Sequence, residues 1–413
     1  MRSNEFNLRL FGYRYALVST CVLSFCVSLG TATVSFAKAL VLLGFFVQLV
    51  LNRKIIFEFR LTQIPRVILW MFVAVTWMLL SITWSQASEL TMWQYFYAHT
   101  RFLWIAVIYH QIGTKERGLK VLKWLIYGQV FVLCISWLLW LGIEVPLTRR
   151  PIEKGIAFTS SLEQPVMTTL VLIALWNFRG YWVKQWSGWF VTVVIIAAAI
   201  NMVFVMSGRT GYVVFIVIVT IEIYKMLPNR WRWVAFLSPF ILSAIFYTAS
   251  PIFHKRVAEI DTNSETYFKN ETLSSEGERL DMWKQTTSGI LKKSILGYGI
   301  GSFPDVYERE DGLIKSPVAQ PHEQYLFWWA EFGLIGLMIM LGFFFALIKD
   351  SRLLDSEARN SLLSVIAVLF IMGLFNCPFF GAGMGEFFFL EIAALLAIRG
   401  DASKSGAPAT NSS

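Results

Sequence analysis

The sequence is poor in charge. Asp, Glu, Lys and Arg make up 15% of its 413 residues, against 56% hydrophobic, where a soluble domain carries about a quarter charged residues. That shortage excludes an ordinary water-soluble domain of this length. Cysteine is sparse too. Cys21, Cys26, Cys134 and Cys377 form no CxxC pair, so neither a zinc site nor a disulfide framework is indicated, and they read as small buried hydrophobes. No GxxxxGK[ST] loop, HExxH or DxD occurs, which argues against a phosphate loop, a zinc peptidase and a divalent-metal site, and no cofactor or metal is expected. No internal repeat is visible. The one low-complexity stretch is the Ser/Ala/Gly-rich tail from Asp401 to Ser413, expected to be disordered and cytoplasmic.

What fills the chain instead is a succession of apolar runs, with Trp and Phe, at 17 and 35 copies, near many of their ends, as aromatic belts lie. A spanning helix needs about 20 apolar residues. That ruler gives an all-α polytopic membrane protein with about twelve spans, near residues 13–30, 33–51, 67–84, 91–110, 121–142, 162–178, 188–206, 210–226, 233–249, 326–348, 360–376 and 384–398. The organisation is then nine helices over 1–249, an outside segment over 250–325, three helices over 326–398 and the tail. The first run follows Arg2, Arg9 and Arg14 without a clear cleavage site and reads as a retained helix.

With both termini cytoplasmic, basic residues fall on the inside loops: Arg53, Lys54, Arg60 and Arg66, then Lys115, Arg117 and Lys120, and so on to Arg399 and Lys404. The short outside loops 84–90 and 377–383 carry no Lys or Arg. This is the positive-inside pattern. It also assigns the net charge of +9 to membrane orientation and not to nucleic acid. Three outside segments break it: 143–161 with Arg149, Arg150 and Lys154, the turn at Arg209, and 250–325 with nine Lys or Arg. Long loops translocate regardless of charge. Basic residues held in short outside loops suggest a use there.

In SGRTG (207–211), Arg209 occupies a tight turn between two apolar helices. It either snorkels or donates two parallel hydrogen bonds to a phosphate. Arg101 lies inside an apolar run and is either a functional intramembrane charge or interfacial. His99 beside it reads as structural. His322 follows Pro321 at the outside mouth of a helix and precedes Glu323, Tyr325 and Glu331. Its imidazole can take a proton from a hydroxyl near neutral pH, or be a lone interfacial histidine. Residues 278–293 place Leu280, Trp283, Thr287 and Ile290 at helical spacing, an amphipathic helix on the membrane surface. A Gly-rich run, GYGIGSF (297–303), follows it.

Three stretches in order, SGRTG (207–211), GERLDMWKQTTSGILKKSILGYGIGSF (277–303) and PHEQYLFWWAEFGLIGL (321–337), resemble the O-antigen ligase family and its polymerase and protein-directed relatives. They look like the family's Ser-Arg-Thr turn, its Arg-x-x-x-Trp/Tyr helix with a Gly-rich turn, and its His-Asn-x-x-Leu-x-x-x-x-E-x-G-x-x-G. The resemblance covers residues 190–345, with Glu323 standing where the family has Asn. It implies a GT-C type, metal-independent glycosyltransferase of the inner membrane, working on the periplasmic side. Such an enzyme passes a glycan from undecaprenyl diphosphate to a sugar hydroxyl of lipid A-core, with inversion. By that resemblance His322 is the base. Arg209 and Arg279 bind the diphosphate, with Arg149, Arg150 and Arg101 as further candidates. Glu323, Tyr325 and Glu331 support the histidine. The alternatives are a polymerase using the same donor, a protein-directed ligase, and a transporter, against which the absence of repeats and the one-sided charge both count.

Overall fold

The computed structural model describes residues 2–51, 64–146, 148, 154–255, 257–258, 275–310, 312–314 and 318–400, and among them every regular element is helical. The all-α expectation therefore holds there. In chain order the α-helices are α1 (Arg2–Cys26), α2 (Thr31–Leu51), α3 (Arg66–Ser81), α4 (Glu89–His99), α5 (Trp104–Ile112), α6 (Lys115–Trp140), α7 (Glu163–Asn177) and α8 (Arg179–Gln185). They continue with α9 (Gly188–Phe204), α10 (Arg209–Met226), α11 (Ser238–Ala249), α12 (Ser275–Lys292), α13 (Phe303–Arg309), α14 (Gln324–Ser351), α15 (Ser356–Phe375) and α16 (Met384–Leu396).

Among the described residues, six stretches are long and apolar enough to cross a bilayer: α2, Arg66–Trp84, α6, Asn229–Ala249, α14 and α15. The pair α7 and α8 adds a seventh if taken as one span across its 83° bend. Three of the other runs fall short for visible physical reasons. The 91–110 run is divided between α4 and α5 by a 3-10 turn at Thr100–Leu103. Helix α10 carries Arg209, Glu222 and Lys225. With 13 residues, α16 is only about 20 Å long at 1.5 Å per residue, against roughly 30 Å of hydrocarbon.

Short as it is, α16 is the centre of the molecule. Every one of its residues is buried, packed against α5, α6 and α15. FFFLEIAALL is apolar but for Glu391, itself fully buried, and a helix apolar nearly all round is suited to that position.

Helix α14 sets up the region that follows. Its dihedrals break at Gly333 (φ 68°, ψ −173°), a backbone open to glycine alone at low cost. A side chain there would collide with the Ile295 carbonyl. The break frees carbonyls, and the Gly-rich turn takes them up. Tyr298 N donates to Ala330 O at 2.9 Å, Gly299 N to Glu331 O at 2.8 Å, and Leu334 N to Ser294 O at 2.8 Å. Buried backbone groups need such partners, so EFG (331–333) and GYGIG (297–301) form one interlocked unit.

The helix read over 278–293 is α12, but its buried face differs from the expected stripe. Asp281, Met282, Thr286, Gly289 and Ile290 face inward and Thr287 is exposed. The reason is polar: the Asp281 carboxylate accepts from the Tyr307 hydroxyl and, at 2.9 Å, from Leu313 N. That anchor turns α12 towards α13 and α14. The 401–413 tail lies outside the described residues.

Candidate active site

The SGRTG turn is held from below. Side chains at Gly208 and Gly211 would run into the Ser161 carbonyl and the Pro165 ring. The 155–164 stretch beneath is pinned in turn. Ala157 N donates to Gln164 Oε1 at 2.8 Å, and Ser136 Oγ to the Gly155 carbonyl at 2.6 Å. The Tyr212 hydroxyl donates to the Met206 carbonyl across the turn. Arg209 is thus fixed in the first turn of an 18-residue helix, where free backbone N–H groups and the helix dipole favour an anion.

Arg279 comes to the same place from α12. Burial holds its guanidinium below the usual arginine range, and the charge of Arg209 lowers it further. Trp283, one turn on, donates its indole N–H to the Pro321 carbonyl at 3.0 Å and so ties α12 to the histidine segment.

His322 has φ 53°, the one positive φ outside glycine among the described residues. Its Nδ1 lies 3.3 Å from Asn376 Oδ1. Burial holds the imidazole below its ordinary 6.5. Arg279 adds to that depression, while the Asn376 hydrogen bond and Glu278 oppose it. Arg209 acts on Arg279 and Arg279 acts on His322, so residues from three separated motifs share one neighbourhood. An imidazole kept neutral is ready to accept a proton.

Glu323, Tyr325 and Glu331 each have partners of their own. Glu323 is the N-cap of α14, accepting from Leu326 N. Its carboxyl is pushed up to about 7 by burial, against opposing bonds from the backbone of Leu326 and Tyr325. Tyr325 donates to the Phe370 carbonyl at 2.8 Å, joining α14 to α15. Glu331 is fully buried, 2.9 Å from His99 Nε2, and accepts from Phe303 N at 3.3 Å. His99, read as structural, is the partner that this carboxylate uses.

Arg101 has acceptors of its own. Its Nη1 donates to the Phe380 carbonyl and its Nε lies 3.8 Å from Glu386 Oε1, which Lys38 Nζ also meets at 3.0 Å. Arg149 and Arg150 lie outside the described residues. Among the described residues, no three His, Cys, Asp or Glu side chains converge as metal ligands would.

Sequence reading missed Asn376 and Cys377. The signal was available: once the Asn expected after the histidine is absent, another acceptor for the imidazole is required, and Asn376 ends an apolar run beside a charge-free loop.

Residues 194–341 match the family model described as O-Antigen ligase, a range that contains all three motifs. No curated protein matches the chain.

Proposed function

As a member of the O-antigen ligase family through residues 194–341, the chain works, we propose, as a periplasm-facing lipid-linked oligosaccharide ligase of the inner membrane. The family is of the glycosyltransferase type and includes ligases and polymerases, so the chain is a membrane enzyme acting on a lipid-linked glycan and an acceptor. The finer reading is ours. The donor is a glycan on undecaprenyl diphosphate, and the acceptor is a sugar hydroxyl of lipid A-core. The fold is GT-C type, with the shorter apolar helices completing about twelve crossings and both termini cytoplasmic. Residues 250–325 then form a periplasmic unit between two membrane blocks.

The observation that carries this is the meeting of Arg209, Arg279 and His322. Arg209 and Arg279 each offer a guanidinium, and the positive charge of Arg209 bears on Arg279. A diphosphate brings the complementary charge, and guanidinium forks suit its oxygens. In the transfer, His322 takes the proton of the acceptor hydroxyl. The hydroxyl oxygen forms a bond to the anomeric carbon from the face opposite the diphosphate. The bond from that carbon to the diphosphate oxygen breaks, and its electron pair leaves on the diphosphate. Arg209, Arg279 and the α10 N-terminus stabilise the charge that develops there. Attack from the opposite face inverts the anomeric centre. Arg149 and Arg150 are further candidates for the diphosphate.

The test uses purified protein in detergent, the lipid-linked glycan and separate lipid A-core, with EDTA present. A ladder on lipid A-core supports the ligase. Lengthening of glycan on the undecaprenyl carrier alone makes it a polymerase with the same donor site. Absence of both products with folded protein overturns the reading.

A further inference from the structure

The family pattern places an amide directly after the histidine, and this chain has Glu323 there, occupied in capping α14. The amide that meets the imidazole comes from 54 residues further on. We propose that Asn376 is the positioning residue for His322: its side-chain carbonyl accepts the Nδ1 proton and leaves Nε2 as the basic nitrogen for the acceptor hydroxyl. This rests on the functional reading above, in which His322 is the base.

The geometry favours a built arrangement over a chance contact. Asn376 stops α15 in extended backbone (φ −160°), with its N–H still donating to Met372 O at 2.8 Å. The backbone N–H groups of His322 and Glu323 donate to the buried Cys377 thiol, and Phe379 N donates to Gln324 Oε1 at 3.0 Å. Three positions of the 376–379 segment, Asn376, Cys377 and Phe379, are thereby strapped to 322–324. The strap accounts for a non-glycine residue held at φ 53°, a conformation that persists where its surroundings over-determine it. The ionisable groups around the ring are Arg279 and Glu278 from α12, Glu323 in the chain and Cys377 from the strap. An amide is the right partner in this company. It orders the ring without adding charge, whereas a carboxylate there would favour the imidazolium and take away the base.

The chain has four histidines, few enough for nitrogen NMR on full-length protein labelled with 15N-histidine in detergent. The His322 signals are those lost in His322→Gln. In the wild type we expect the tautomer with the proton on Nδ1. In Asn376→Ala we expect a shift towards Nε2–H, and kcat lower by on the order of tenfold or more at unchanged donor KM. The isosteric Asn376→Asp guards against misfolding of the alanine variant. There the His322 titration should move up by about one unit, and the acid limb of transfer should move with it. A merely structural role would leave tautomer and titration in place. A wild-type Nε2–H tautomer, or unchanged tautomer and titration in both variants, overturns the proposal. If the wild type shows no transfer at all, the NMR still decides for or against Asn376, and the functional reading falls separately.

Discussion

Two groups of cations, with Lys38 buried and Arg101, Arg209 and Arg279 half-buried, meet different charged neighbours. On the α12 side, Arg279 has another arginine, Arg209, as its charged neighbour and His322 beyond it. On the α2 side, Lys38 and Arg101 converge on Glu386 at 3.0 and 3.8 Å, and Arg101 also takes the Phe380 carbonyl. In the second group two cations share one carboxylate, and the buried Arg101 Nε makes no hydrogen bond. In the first, the charge of Arg209 bears on Arg279, and Arg279 and Glu278 both act on His322. An intramembrane charge is therefore not a ligand site by virtue of its depth.

The largest effect that would break this comparison lies at His322. His322→Gln should reduce glycan transfer by roughly 10²–10⁴-fold, the range of general-base catalysis, with an unchanged melting temperature. Normal turnover in a folded variant would take the base away. The next effect belongs to the cluster on Glu386. Glu386→Gln leaves Lys38 and Arg101 buried without their carboxylate, and should cost roughly 3 kcal/mol of stability, read as a lower unfolding midpoint in detergent. Donor affinity per folded molecule should be unchanged. A large loss of donor affinity at full stability would instead place Arg101 among the diphosphate ligands. Third, Arg279→Lys keeps the charge and loses the fork, and donor affinity should fall by about tenfold, equal to some 1.4 kcal/mol. Arg101→Lys, assayed alongside, should bind donor normally.

What could be read from the sequence follows the same division. The Gly-rich run GYGIGSF is legible because glycines in a turn leave a local mark, and Arg209, Arg279 and His322 each sit in a short motif, whereas the break at Gly333 that locks onto that run reads as continuous helix. The all-helical class is legible from apolar runs alone. The link between His322 and Asn376 is not, since it joins residues 54 apart through a loop of apolar and small side chains, CPFFGAG. The pairing of Lys38 with Glu386, 348 positions apart, is hidden for the same reason. The inward face of α12 was misjudged because hydropathy ranks Asp281 as an outward residue. Only the hydrogen bonds it receives from Tyr307 and Leu313 make its burial affordable.

The smallest effect sharpens the contrast at the helix cap. Burial raises the Glu323 carboxyl from 4.5 to about 7. A carboxyl raised on folding favours the folded state while it holds its proton. Its contribution is complete below pH 4.5 and is lost as the pH climbs through 7. Glu323→Gln should flatten that dependence, so that unfolding midpoints measured between pH 4.5 and 8 decline less than in the wild type. Transfer should stay within about twofold of wild type, as for a change that touches no reacting group. If Glu323→Gln lowered kcat as far as Asn376→Ala does, the carboxylate next to the histidine would share in orienting it. The amide supplied by α15 would then be one of two partners for the imidazole, and the cap would belong to the chemistry as well as to the fold.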